Sequence, residues 1–216
     1  MRLSPFMVNK QTFIFDHPLI DDKVARLRDR STHVALFRQL VEEVTVLMLY
    51  EVGKSLPCTT KEVETPLAKT NCRVLAGPAP VLVPILRAGL AMAEPLLKLL
   101  PNAPVGHVGL ARDHDTLEPV RYLVKLPPLA DRAVWVLDPM LATGGSAGET
   151  CRILKDNGAT NLTLFSIIAA PEGVAYLEKE HPDVKIFIAA LDERLNDKGY
   201  ILPGLGDAGD RLYGTF

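Results

Sequence analysis

The chain has 216 residues, 48% of them hydrophobic and 23% charged, with a formal net charge of -2 at neutral pH. That size suits one domain over residues 1–216 with one sizeable core. The near-neutral charge gives no general pull toward nucleic acid or an acidic membrane, and no apolar run approaches the roughly 20 residues that span a bilayer.

In chain order, "MRLSPFMVNKQTFIFDHP" has no sustained apolar stretch of the leader-peptide kind, and residues 1–15 are expected to form an N-terminal extension. Within residues 21–52, Leu36, Leu40, Val44 and Leu47 recur at spacings of four and three. This marks a helix over 31–52, with Ser31 or Thr32 as its N-cap, apolar enough to serve a subunit interface. From Cys58 to Leu75, β-branched residues mix with turn formers, and short strands or an irregular excursion are expected. Cys58, Cys72 and Cys151 are odd in number and lack a C-x-x-C spacing, so they fit buried or incidental thiols in a reducing, cytoplasmic compartment.

From Val81 onward, "VLVPIL", "VGHVGLA", "AVWVLD", "LTLFSIIAA" and "VKIFIAALD" alternate with the helical stretches "LAMAEPLLKLL", "AGETCRILKDNGA" and "EGVAYLEKE". Short, wholly apolar runs alternating with crossover-length helices predict an α/β fold, a parallel sheet buried on both faces by helices. One connection breaks the alternation. Residues 112–132 are polar and proline-punctuated, and residues 112–130 are expected to form a β-arm or flap over the site.

In such a sheet, ligands bind beyond the carboxyl ends of the strands. "AVWVLDPMLATGGSAGETCRIL" places Asp138 at one such end, followed by a tight turn and a helix expected from about Ser146. Thr143, Gly144, Gly145 and Ser146 can turn several backbone N–H groups toward one point, a phosphate cradle. The competing P-loop reading lacks its lysine. A carboxylate beside a phosphate suits sugar hydroxyls or a ligand-borne metal ion, so Asp138 with the cradle suggests a phosphorylated sugar. The five histidines are scattered and suggest no resident metal site.

"VLDPMLATGGSA" resembles the phosphoribosyl pyrophosphate (PRPP) loop of the phosphoribosyltransferases. It is similar in particular to the uracil phosphoribosyltransferases, in which a proline, here Pro139, replaces the second acid of most relatives. "VPILRAGLAMAEPLL", "AAPEGVAYLEKEHPDV" and "GYILPGLGDAGDRLYGT" extend the resemblance from about His17 to the end. It implies a type I phosphoribosyltransferase-like fold with a base-binding hood over 191–216. It implies transfer of the phosphoribosyl group from PRPP to N1 of uracil, giving UMP and diphosphate in pyrimidine salvage. It also implies Mg2+ carried by PRPP and at least a homodimer. GTP activates part of this family, but no residue here carries that assignment.

Site roles follow from the same resemblance. PRPP would lie against Arg87, Arg112, Asp138, Pro139, Met140, Leu141, Ala142, Thr143, Gly144, Gly145, Ser146 and Asp207. Uracil would meet Ile201 and the backbone of Gly206, Asp207 and Ala208, and Arg87, Arg112 and Asp207 would act in catalysis. Arg87 and Arg112 end neighbouring strands, where forked guanidinium donors suit phosphate oxygens. Gly204, Gly206 and Gly209 spell G-x-G-x-x-G, but a dinucleotide fingerprint needs a helix and a second strand after it, and only seven residues follow Gly209. Arg194 stands where a smaller or neutral residue is expected in many relatives. Two alternatives stay open: a pyrimidine-responsive RNA-binding regulator on the same fold, which the missing basic stripe opposes, and a purine or orotate phosphoribosyltransferase, which Pro139 and the terminal loop oppose.

Overall fold

The computed structural model describes residues 6–7, 11–112 and 119–215, with only the backbone of Phe6, Met7, Arg112 and Pro119. Most of the expected N-terminal extension, the 113–118 tip of the expected flap and the Arg112 side chain therefore lie outside the described residues. The strands are β1 (Phe6–Met7), β2 (Thr12–Ile14), β3 (Cys58–Glu64), β4 (Lys69–Leu75), β5 (Val81–Leu86), β6 (His107–Arg112), β7 (Pro119–Lys125), β8 (Ala133–Leu137), β9 (Met140–Leu141), β10 (Asn161–Ala169), β11 (Lys185–Leu191), β12 (Arg194–Leu195) and β13 (Ile201–Leu202). The helices are α1 (Pro18–Arg28), α2 (Val34–Val52), α3 (Leu90–Leu99), α4 (Gly145–Asp156), α5 (Pro171–Glu180) and α6 (Ala208–Tyr213).

The main sheet runs β1-β2-β11-β10-β8-β5-β6-β7, with β9 also on β10. β2, β11, β10, β8, β5 and β6 are parallel, as expected from the alternation of apolar runs and helices. β10 is buried along all but its first residue, which places it at the centre of the sheet. Phe37, Leu40, Met48, Met92, Leu96 and Leu212, from α2, α3 and α6, form the core on one face. Cys151, Ile153, Leu154, Val174 and Leu177, from α4 and α5, form it on the other. Among the described residues no helix is long and apolar enough to cross a membrane.

The N-terminal half corrects the sequence reading. Residues 18–52 form two helices, the first opening on Pro18 behind a His17 cap whose Nδ1 accepts from the Leu19 N–H at 3.1 Å. The cap of α2 is His33, accepting from the Leu36 N–H, and not Ser31 or Thr32. Those two are spent in the turn: Ser31 donates its N–H and hydroxyl to Asp29, and the Thr32 hydroxyl donates to the Arg26 carbonyl. Leu40 and Val44 are buried as the periodicity requires, whereas Leu36 and Leu47 are only partly buried. The inward stripe of α2 is instead Phe37, Leu40, Val41, Val44, Met48 and Leu49. Residues 58–75 are strands: β3 and β4 pair over all seven positions in an exposed antiparallel hairpin standing off the main sheet.

Candidate functional site

The sheet creates the site by interrupting a strand. β8 pairs with β10 up to Leu137, and Met140–Leu141 resumes that pairing in the same register as β9. Between them Pro139 has no N–H to offer, and its carbonyl accepts instead from both Ile167 and Ile168. Asp138 is held at this break mainly through its backbone: its N–H donates to the Phe165 carbonyl, and its own carbonyl accepts from the Ser166 hydroxyl at 2.8 Å. The carboxyl accepts one N–H, from Met140 at 3.2 Å, and lines the cleft.

The next residues form the cradle. Asp138, Met140, Leu141, Ala142, Thr143, Gly144, Gly145 and Ser146 line a hollow of about 60 Å³ closed by Ala147. α4 begins at Gly145, one residue before the expected start, and Gly144 caps it at φ +85°, a conformation that favours glycine. The first turn of α4 carries no acid, so its free N–H groups and the positive end of the helix dipole face the hollow unopposed. Behind the cradle, a Cβ on Gly173 of α5 would lie 2.2 Å from the Ala142 carbonyl oxygen, so the two backbones are in direct contact.

An adjoining cleft of about 250 Å³ is lined by Ile85, Leu86, Arg87, Ala88, Leu110, Asp138, Pro139, Met140, Ser146, Asp207, Ala208 and Gly209. Burial pushes the Asp138 carboxyl up to about 7, against the donated Met140 N–H and with a further push from the Asp207 charge. Across the cleft, Arg87 follows β5 through a cis Leu86–Arg87 peptide. Its guanidinium lies 5.6 Å from the Tyr213 ring centre and 3.9 Å from Asp210, and the Tyr213 hydroxyl donates to the Arg87 carbonyl at 3.0 Å. Asp207 is the N-cap of α6, its Oδ1 accepting from the Asp210 N–H.

The structure thus gathers Arg87, Asp138, Pro139, Met140, Ser146, Asp207 and Ala208 about one cleft, with the rest of the cradle beside it. Arg112 ends β6, the parallel neighbour of β5. Gly206 lines the next hollow, about 750 Å³ between residues 203–207 and the α1–α2 turn, and Ile201 lines neither, its side chain being buried in the core. The glycine motif comes after β13, the second strand of the small β12–β13 ladder, and runs into the start of α6. Arg194 is exposed, with Glu193 as its ion-pair partner. Cys151 is buried, which pushes its thiol up to about 12 and leaves it un-ionised.

Sequence reasoning missed the supports of the loop at residues 203–209. Asp192 takes a two-pronged ion pair from Arg28 and the Gly204 N–H. Arg211 donates to the Leu205 and Asp29 carbonyls at 2.8 and 2.6 Å, and to Leu27, while lying over the Phe37 ring. A signal for Asp192 was present: "VLD" and "ALD" both end an apolar run in Leu-Asp, and only the first was taken as functional.

A parallel sheet with a phosphate-sized turn at a strand break, and an acid ahead of it, is the architecture of the type I phosphoribosyltransferases. The adenine phosphoribosyltransferase of Trypanosoma brucei shares the fold at TM-score 0.61 and 13% identity, over 92% of this chain and 91% of that one. The AQ2163 protein of Aquifex aeolicus matches at TM-score 0.88 and 42% identity, over 94% and 97% of the two chains. Residues 14–215 fit the family model for uracil phosphoribosyltransferase, and the chain belongs to that family. The uracil phosphoribosyltransferase of Bacillus cytotoxicus is 55% identical over 204 residues, covering 94% of this chain and 98% of that protein. That of Bacillus thuringiensis is 56% identical with the same coverage.

Proposed function

We propose that the protein is a uracil phosphoribosyltransferase that joins N1 of uracil to C1 of the ribose of PRPP, with inversion, releasing diphosphate and giving UMP. The observation that carries this is the single cleft in which the Asp138–Ser146 loop faces Arg87 and Asp207, in a chain of this family. The 5-phosphate takes the amides of Thr143, Gly144, Gly145 and Ser146, the ribose hydroxyls face Asp138, and the diphosphate lies toward Arg87 and Arg112. No side-chain nucleophile is needed, because alignment of the two reactants and stabilisation of the departing charge supply the rate.

Uracil offers two carbonyl acceptors and an N3–H donor, a pattern that the backbone of Ile201 and of Gly206, Asp207 and Ala208 can read. With the Ile201 side chain buried, its contact is through main-chain atoms. The donor set also suits Mg2+ brought in by PRPP: the Asp207 charge is close enough to raise the cost of ionising Asp138, so a cation between them would be favoured. Bound there, Mg2+ spreads the negative charge of the diphosphate.

The arm formed by β6 and β7 would close over the cleft and keep water from the activated sugar. Its second strand, β7, is tied to the cradle helix by the Arg121–Glu149 ion pair. Equal protease sensitivity of residues 112–125 with and without substrates would count against closure. Cytoplasmic operation as a homodimer or larger homo-oligomer, and response to GTP, are proposed on family grounds. Exposed Leu67 and Leu75 on the β3–β4 hairpin support self-association, which sedimentation tests.

The deciding experiment offers uracil, hypoxanthine, adenine and orotate separately with PRPP and Mg2+, following diphosphate release and nucleotide formation. UMP from uracil alone is expected. No product from any base, in a protein that still binds UMP, would instead favour a regulator that has kept the fold.

A further inference from the structure

The base loop, residues 203–209, lies between two hollows. Leu205 and Ala208 anchor it in the core, but Pro203 to Asp207 also line the 750 Å³ space on the α1–α2 side. Packing therefore leaves one side of the loop without a wall, and a polar device takes its place. The Asp192 side chain is 1% exposed, and burial of a carboxylate is tolerated when its lone pairs are filled. They are filled by both terminal nitrogens of Arg28 and by the Gly204 N–H at 2.8 Å. Arg28 Nη1 donates in addition to the Gly204 carbonyl oxygen at 2.9 Å. One ion pair thus grips the Gly204 residue by its N–H and its C=O together.

No residue with a side chain fits at Gly204. Its φ is +66°, and a Cβ there would lie 2.1 Å from the Ile201 carbonyl oxygen. The clamp is tied to the sheet as well, since the Asp192 N–H donates to the carbonyl of Ala169 at the end of β10. Ala169 pairs with Leu141 of the cradle segment. Cradle and base loop are therefore both referenced to the end of one strand.

We infer that Arg28 and Asp192 are positioning residues for the base: they hold the Gly206–Ala208 backbone at the height where it meets uracil, while touching neither substrate. This rests on the uracil reading above and extends it to regulation of base affinity by a buried ion pair remote from the reacting atoms. Because PRPP is held mainly by the cradle and the arginines, with only the Asp207 side chain reaching it from this loop, the clamp acts far more on uracil than on PRPP.

The test uses Arg28→Lys, which keeps the charge but cannot reach both Asp192 oxygens and the Gly204 carbonyl at once, together with Asp192→Asn. The expected result for Arg28→Lys is a KM for uracil raised about tenfold or more, with KM for PRPP within about twofold. Hydrogen exchange of the amides in residues 204–208 should quicken in the same variant, while those of β10 and α2 stay as in the wild type. If Asp192→Asn fails to fold, Arg28→Lys carries the test, because Arg28 sits at the exposed edge of the pair. Equal rises in both KM values, or unchanged exchange at 204–208, overturn the clamp. A wild-type protein that makes no UMP sinks the uracil reading instead, and the exchange measurement still decides the clamp.

Discussion

The cradle at residues 138–146 and the base loop at residues 203–209 share a cleft but are held by different means. The cradle is held mostly by main chain, fixed by the register of β8 and β9 on β10 and by the start of α4, with only short side chains, Ser166 and its own Asp138 and Thr143, adding bonds. The base loop belongs to no extended sheet, and long side chains hold it and the helix that follows: Arg28 of α1 through Asp192, Arg211 of α6 through its carbonyl partners, and Arg38 of α2, whose Nε donates to the Leu212 carbonyl at 2.6 Å. The difference suits the two ligands proposed above. A phosphate needs a fixed ring of amides, whereas a planar base needs a few main-chain groups at a set height.

The largest expected effect ignores this division, because it concerns the leaving group. Arg112→Ala or Arg87→Ala should lower turnover by about a hundredfold or more, the loss of about 2.7–4 kcal/mol associated with one preorganised donor. Their melting temperatures should change little, since the Arg87 side chain is more than half exposed. An unchanged rate in folded Arg112→Ala removes that residue from the mechanism.

The sharpest attack on the comparison pairs two glycines. Gly173→Ala forces a Cβ against the Ala142 carbonyl, and Gly204→Ala forces one against that of Ile201. Both should lower kcat/KM by about tenfold to a hundredfold, as backbone shifts of about 1–3 kcal/mol do. Gly173→Ala should act through PRPP and Gly204→Ala through uracil. Steady-state kinetics with each substrate varied in turn checks this, and matching patterns would erase the distinction drawn between the two regions.

Asp207 belongs to both regions, as α6 cap and as cleft wall. Asp207→Ala should raise the PRPP requirement about tenfold and remove about 1 kcal/mol of helix capping. Saturation by PRPP at unaltered concentrations would exclude its role on that side.

The smallest effect is on stability. The folded Asp138 carboxyl titrates near 7 against 3.8 for an unperturbed group, so the folded state favours the proton. Relative stability from this group is full below about pH 4 and is lost as pH rises through 7. Asp138→Asn, already neutral, should therefore melt a few degrees higher than the wild type at pH 8, with the gain vanishing near pH 4. Thermal melts across that range check the sign.

What the sequence made legible follows the same division. The sheet core could be read because strands buried on both faces are continuous apolar runs: "VLVPIL" is β5 residue for residue, and "AVWVLD" overshoots β8 only by Asp138. The cradle could be read because its chemistry is contiguous. α1 is not legible as a helix, since only Ile20, Val24 and Leu27 mark its buried side, and the cap of α2 is misplaced because a histidine, not a serine or threonine, caps each helix. The supports of the base loop left no local spacing to detect. Arg28 and Asp192 stand 164 residues apart, and Arg211 and Leu27 stand 184 apart.

Those separations bear on the order of assembly. The strand break and cradle can form once β8, β9 and β10 have met, within one stretch of chain from residue 133 to 169. The base loop must wait until the segment after β11 finds α1, a long-range closure that costs chain entropy before any contact offsets it. During folding, the half of the cleft proposed to take the phosphate is therefore expected to exist before the half proposed to choose the base.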